Sequence, residues 1–218
     1  VEEVRRKFFG TLYNTYSFFA LYANVDSFTN SQPQVPMANR PEIDRWIISL
    51  LNSLIKEVDE SYNDYEPTRA GRAIANFVND HLSNWYVRLN RKRFWGGTLT
   101  EDKLAAYQTL YTCLDTISRL MAPISPFYAD RLFLDLNSAT GCDSSESVHL
   151  SDFPKADESL IDKVLEERMQ LAQDISSMTL SLRKKENIKV RQPLQQIMVP
   201  VLSEREKENI DAVKDLIM

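Results

Sequence analysis

A run of basic and aromatic residues from Asn84 to Trp95 contains the side chains best suited to contacting a charged partner. The run has no acidic residue and holds four cations and four aromatic rings: Arg88, Arg91, Lys92, Arg93, Trp85, Tyr86, Phe94 and Trp95. Successive residues of a helix turn by about 100°. On such a helix one surface stripe is formed by Asn84, Arg88, Arg91 and Trp95, the opposite flank by Tyr86, Asn90 and Arg93, and the core face by Trp85 and Leu89.

The chemistry of this stripe suits RNA. Guanidinium groups pair with phosphates, aromatic rings and guanidinium planes stack on unpaired loop bases, and an asparagine amide can bond to a base edge. A structural interpretation fits the pattern equally well, because basic residues near the C-terminal end of a helix interact favourably with its free carbonyl groups. A second basic cluster, residues 183–185 with Lys189 and Arg191, lies at the C-terminal end of another predicted helix and just after it, and there the helix-end explanation fits better.

The composition indicates a folded chain without a catalytic or metal site. Its 218 residues are 43% hydrophobic and 26% charged, as in ordinary globular proteins. The net charge of −5 gives no bulk positive field, so a nucleic-acid partner requires a local basic patch. The spacing of the two cysteines and two histidines matches no zinc-site pattern: Cys113, Cys142, His81 and His149.

Other site classes are also missing from the sequence. It contains no glycine-rich phosphate loop, no recognisable nucleophile–base arrangement and no segment with the length and apolarity of a membrane span. We therefore predict no catalytic residue, no metal, no cofactor and no membrane partner for this chain. We expect a reduced, cytoplasmic protein.

Hydrophobic periodicity predicts an all-α bundle of long helices. The predicted helices cover residues 2–24, 41–62, 68–94 and 101–121, a short stretch from Pro126, and 158–186. Residues 195–202 have the pattern of a strand, and a helix follows from Glu204. We predict a helical-bundle domain over residues 1–154, and over 155–218 the long helix with the start of a small, truncated α/β unit.

Four segments, which together span nearly the whole chain, resemble class I aminoacyl-tRNA synthetases of the isoleucine type. They are residues 8–24, 44–52, 84–95 and 189–194. The pair Trp85 and Tyr86 is shared with valine-type relatives, whereas the arginine-rich continuation that ends in Phe94 and Trp95 is typical of the isoleucine type. The leucine and methionine types fit less well.

The resemblance implies the family's anticodon-binding helical bundle, whose partners are the anticodon stem-loop of tRNA(Ile) and the enzyme's own catalytic domain. The catalytic signatures His-x-Gly-His and Lys-Met-Ser-Lys-Ser are absent. The domain that binds ATP with magnesium and attaches isoleucine to the tRNA is therefore expected before Val1. A zinc-binding tail, which some relatives carry, is expected only beyond Met218.

The resemblance also implies roles for individual side chains. Arg88 and Arg91 are expected to contact phosphates or to stack on bases. Trp95 and Tyr86 offer stacking surfaces, and Asn84 is expected to read a base edge. Including the weaker backbone contacts at the C-terminal end, the predicted tRNA-binding residues are Asn84, Tyr86, Arg88, Arg91, Arg93, Trp95, Lys189 and Arg191.

Two other classes of function stay open at this point. The anticodon-binding domain of a valine-type synthetase shares the fold and prefers another anticodon. A helical protein-interaction module needs no RNA, and its binding depends far less on salt than contacts between arginine and phosphate do.

Overall fold

Seven helices make up the computed structural model of this chain, which describes residues 2–201 and 203–217. A bundle unit that ends at Ile161 contains α1 (residues 2–25), α2 (Glu42–Asn63), α3 (residues 67–94), α4 (Glu101–Met121) and α5 (Pro126–Thr140). A C-terminal unit that begins at Asp162 contains α6 (Lys163–Lys185) and α7 (Glu204–Ile217), which pack against each other. Short 3-10 turns occupy Met37–Asn39, Val148–Leu150 and Glu158–Leu160. The prediction of an all-α fold is confirmed, since the described residues contain no strand.

Local sequence signals set the ends of the bundle helices. Pro67 and Pro126 occupy the first turns of α3 and α5, where the missing N–H of proline has no helical partner to lose. The hydroxyl of Thr100 caps α4 by accepting a hydrogen bond from the backbone N–H of Lys103 at 3.2 Å. α5 ends at Gly141, whose φ of 61° lies in the left-handed region that glycine adopts readily.

α4 is the central helix of the bundle unit. Fifteen of its 21 residues are buried, and it contacts α1, α2, α3 and α5. A helix that is buried on most of its circumference belongs to the core. Aromatic rings surround its N-terminal half: Tyr107 stacks on Phe28 with ring centroids 5.0 Å apart and meets Phe94 edge-on at 5.1 Å. The C-terminal end of α3 is thereby anchored in the core through Phe94.

The register of α3 differs from the predicted one. The helix consists of an α segment Pro67–Asn76, a π segment Phe77–Val87 and a second α segment Arg88–Phe94. Its buried positions recur every four residues, at Ile74, Val78, Leu82, Tyr86, Asn90 and Phe94. The core face predicted through Trp85 and Leu89 is wrong, because Trp85 is half-buried and Leu89 is 44% exposed. A π segment bonds each N–H five residues back and so has more residues per turn than the α-helix that the prediction assumed.

The C-terminal unit lacks the predicted strand. Residues 193–201 form neither helix nor strand, and Leu202, the last residue of that prediction, lies outside the described residues. A strand needs a partner for its backbone hydrogen bonds, and the described part of the chain offers none. The predicted strand is therefore absent from residues 195–201, whereas the truncated α/β unit stays a prediction. The domain boundary predicted after residue 154 stays a prediction, whereas internal contacts divide the chain after Ile161.

An ion pair joins the C-terminal end of α1 to α4. Lys103, whose side chain is 4% exposed, donates from its ammonium group to the carboxylate of Asp26, and the Tyr107 hydroxyl donates to the same oxygen. Burial raises the pKa of Asp26, but the hydrogen bonds from Lys103 and Tyr107 outweigh it, so the pKa lies below the usual 3.8. A carboxyl with a lowered pKa stabilises the folded state above pH 3.8, and this contribution disappears as the pH falls through the folded-state value.

We expect Asp26→Asn to reduce the free energy of unfolding at pH 7 by about 2 kcal/mol, because the buried ammonium of Lys103 loses its counter-charge. The difference in the free energy of unfolding between the variant and the wild type should become smaller as the pH falls below 3.8, where the wild-type carboxyl also loses its charge. Urea unfolding of both proteins from pH 7 to pH 3 measures this. A difference that stays constant over the whole range would contradict the ionic role of Asp26.

Candidate nucleic-acid interface

The stripe predicted from the sequence lies on the surface of α3. Asn84, Arg88 and Arg91 are exposed, and so is Trp95, which keeps 53% of its surface accessible directly after the helix ends. Trp95 has extended backbone angles, with φ −82° and ψ 121°, because the helix stops at Phe94. The exposure of these four side chains is what an RNA-binding surface requires, and their contacts with RNA stay a prediction.

Three cations of this surface have no counter-charge. Within residues 2–201 and 203–217, Arg88, Arg91 and Lys92 make no ion pair or side-chain hydrogen bond. Residues three and four apart share one face of a helix, so Arg91 and Lys92 both neighbour Arg88. Lys92 was not among the predicted site residues, although its place in a run without acidic residues is the signal that identifies it. We call Asn84, Arg88, Arg91, Lys92 and Trp95 the α3 surface patch.

Tyr86 has a structural position that rules out the predicted stacking role. It is fully buried, and its hydroxyl donates to Asp44 Oδ1 of α2 at 2.8 Å. Burial, followed by the charge of Asp44, raises the pKa of Tyr86 well above its usual value, so the hydroxyl keeps its proton. The prediction is wrong because the π segment turns Tyr86, rather than Trp85, into the core.

Arg93 is likewise a structural residue, and its predicted contact with RNA is wrong. A guanidinium group has five N–H donors, and all five are used here. The two terminal nitrogens donate to Asp44 Oδ1 at 2.7 Å, Asp44 Oδ2 at 2.9 Å, Asn90 Oδ1 at 3.0 Å and the Asp102 carbonyl at 2.8 Å. Nε donates to Asp102 Oδ2 at 3.0 Å. No donor is left for a phosphate.

Charge balance explains why Arg93 is held so firmly. Asp44 is fully buried, and a buried carboxylate is stable only when it is paired and hydrogen-bonded. Burial by itself lowers the pKa of Arg93, but the hydrogen bonds and charge of Asp44 outweigh burial. The pKa is therefore raised above its usual value, and Arg93 stays charged. Spacing alone could not separate Arg93 from its exposed neighbours, because the pairing residue lies on another helix.

The second basic cluster belongs to the C-terminal unit. The guanidinium of Arg183, near the end of α6, donates to the carbonyls of Lys189 at 3.1 Å and Gln192 at 2.9 Å, which fixes the turn that follows the helix. Lys189 and Arg191 are exposed on that turn. Their predicted contacts with the tRNA backbone stay a prediction.

A comparison with protein families decides the classification of the chain. The family model described as the anticodon-binding domain of tRNA ligase matches residues 44–198. The chain belongs to this family. The matched residues run from the first turn of α2 through α6 and therefore include both the α3 surface patch and the Asp44 network.

Curated relatives of this anticodon-binding domain are isoleucine–tRNA ligases. The chain is 72% identical to the one from Bacteroides thetaiotaomicron and 64% identical to the one from Porphyromonas gingivalis, in both cases over all 218 residues. It is 61% identical over 217 residues to the one from Cytophaga hutchinsonii. The resemblance to the isoleucine type is thus confirmed. The chain spans only 19–20% of the length of these relatives.

None of the helices in the described residues combines the length and the apolar character needed to cross a bilayer. The same residues contain no group of three or more histidine, cysteine, aspartate or glutamate side chains placed to hold a metal ion.

We expect Arg93→Met to lower the free energy of unfolding by about 3–5 kcal/mol, because it leaves the buried charge of Asp44 without its cation. Arg88→Met is the matched control on the same helix, and as an unpaired surface substitution it should change stability by less than about 0.5 kcal/mol. Urea unfolding at neutral pH compares the two variants. Similar free energies of unfolding for Arg93→Met and Arg88→Met would show that the Asp44–Arg93 pair is not required for the fold.

Proposed function

We propose that this domain binds the anticodon stem-loop of tRNA(Ile) with the α3 surface patch. The observation that carries the proposal is the pair of unpaired, exposed arginines, Arg88 and Arg91, on a helix that is followed directly by an exposed tryptophan, in a chain of net negative charge. The family match to an anticodon-binding domain and the isoleucine–tRNA ligases among the relatives support the same partner.

Each member of the patch has a contact that its chemistry allows. Arg88, Arg91 and Lys92 supply positive charge to the phosphates, which provides most of the affinity and makes it depend on salt. The Trp95 ring offers a flat surface on which an unpaired loop base can stack. The Asn84 amide carries both a donor and an acceptor for a base edge. Together these contacts combine backbone attraction with recognition of single-stranded bases.

The polypeptide to which such a domain belongs has a wider activity. By analogy with relatives about five times as long, we infer that the complete enzyme attaches isoleucine to its tRNA in the cytoplasm. ATP and magnesium would be bound by its catalytic domain, which is the second partner of this chain, and zinc only by a tail of the kind that some relatives carry. Binding of the stem-loop by this domain requires no cofactor.

We expect the double variant Arg88→Ala/Arg91→Ala to bind a stem-loop with the anticodon GAU at least tenfold more weakly than the wild type. The slope of log affinity against log salt should fall by about 0.7 for each lost phosphate contact with a single-stranded loop. Fluorescence titration at two or more salt concentrations measures both quantities.

The control removes two arginines elsewhere. Arg5→Ala/Arg131→Ala makes the same change in net charge, and both side chains are exposed in surface ion pairs, which contribute little to stability. The control should keep nearly wild-type affinity and slope. If both double variants lose affinity equally, the effect is one of net charge and the α3 surface patch is not the binding site.

A further inference from the structure

Trp95 is exposed, but the chain on both sides of it is tied to the core of the bundle. Before it, Arg93 is bonded to Asp102 of α4 and Phe94 is fully buried against Phe18 and Tyr107. After it, the carbonyl of Gly96 accepts a hydrogen bond from the ammonium group of Lys103 at 3.1 Å. The backbone of this surface tryptophan is therefore restricted on both sides.

Lys103 makes this second attachment from inside the protein. Its side chain is 4% exposed, and its ammonium group is shared between the Asp26 carboxylate at the end of α1 and the Gly96 carbonyl. Such a buried ammonium cannot reach a phosphate on the surface. Its effect on a bound ligand can therefore act only through the turn that it holds.

The turn after Trp95 is one that only glycine adopts easily. Gly96 and Gly97 have φ values of 58° and 74°, in the left-handed region, although a Cβ at either position would meet no atom within 4 Å. Backbone conformation, rather than crowding, therefore favours glycine at both positions. Two consecutive glycines also have the greatest freedom in the absence of a constraint, and the hydrogen bond from Lys103 to the Gly96 carbonyl restricts that freedom.

We propose that Lys103 is a positioning residue for RNA recognition: by holding the Gly96 carbonyl it fixes the orientation in which Trp95 stacks on an anticodon-loop base. The inference rests on the proposed function and adds to it a residue that does not touch RNA. A pre-organised ring loses less conformational entropy on binding than a mobile one. The Lys103–Asp26 pair thereby connects α1 to the binding surface.

A double-mutant cycle with the GAU stem-loop tests the proposal. Lys103→Met and Trp95→Ala should each weaken binding about tenfold, the loss expected for one stacked base. The double variant should bind no more weakly than Trp95→Ala alone, because a ring that has been removed cannot be misplaced. Lys103→Met should leave the salt slope unchanged, and Lys103→Arg, which keeps a buried cation and donors for the carbonyl, should restore most of the affinity.

The mobility of the Trp95 side chain is a second measurement, and a general loss of stability would not change it selectively. Nitrogen relaxation of the Trp95 indole should show an ordered ring in the wild type and fast motion in Lys103→Met. The indole of the buried Trp46 should stay ordered in both and serves as the control for folding. If Lys103→Met does not fold, Gly97→Ala replaces it in the cycle, because it disturbs the same turn and leaves the ion pair intact.

The possible results separate this inference from the function on which it rests. If the wild type binds and Lys103→Met weakens binding equally with and without Trp95, the positioning role is overturned and the proposed function stands. An ordered Trp95 indole in Lys103→Met would overturn it too. If the wild type shows no binding even at low salt, the proposed function fails, and the inference fails with it.

Discussion

The buried carboxylate of Asp44 fixes the start of α2 to the C-terminal half of α3. It accepts hydrogen bonds from the Tyr86 hydroxyl and from both terminal nitrogens of Arg93. Taking a charge out of water costs several kcal/mol, which only a paired and fully hydrogen-bonded arrangement offsets. Tyr86 and Arg93 are therefore committed to the interior. Because they are fixed, Arg88, Arg91 and Lys92 of the same helix are left on its exposed face.

α3 consequently has two faces with opposite electrostatic roles. On the inner face the charge of Arg93 is neutralised by Asp44 and Asp102, whereas on the outer face Arg88, Arg91 and Lys92 have no partner among the described residues. In a chain with a net charge of −5, a local patch of this kind decides where an anion binds. The anchoring of Phe94 and of the following glycine turn extends the same rigidity to the exposed ring of Trp95.

The helical fold and the exposed stripe could be predicted because both follow from local periodicity and composition. What the sequence could not reveal is the pairing between helices. Tyr86 and Arg93 look like members of one surface flank of the helix until Asp44, more than forty positions earlier, takes both of them as partners. The π segment has a similar effect, since a change in residues per turn moves Tyr86 into the core in place of Trp85. The predicted strand is absent from residues 195–201 because a short apolar run does not by itself supply the neighbouring strand that it needs.

Recognition of the isoleucine anticodon by this domain is tested most directly by a titration with two stem-loops that differ only in the anticodon. One carries GAU and the other the valine anticodon GAC, and each is titrated at two salt concentrations. We predict tighter binding of the GAU stem-loop at both concentrations, with strong salt dependence for both RNAs because they share their phosphate contacts. Equal affinity for the two RNAs would contradict recognition of the anticodon by this domain, and salt-independent binding would contradict the role of the α3 surface patch.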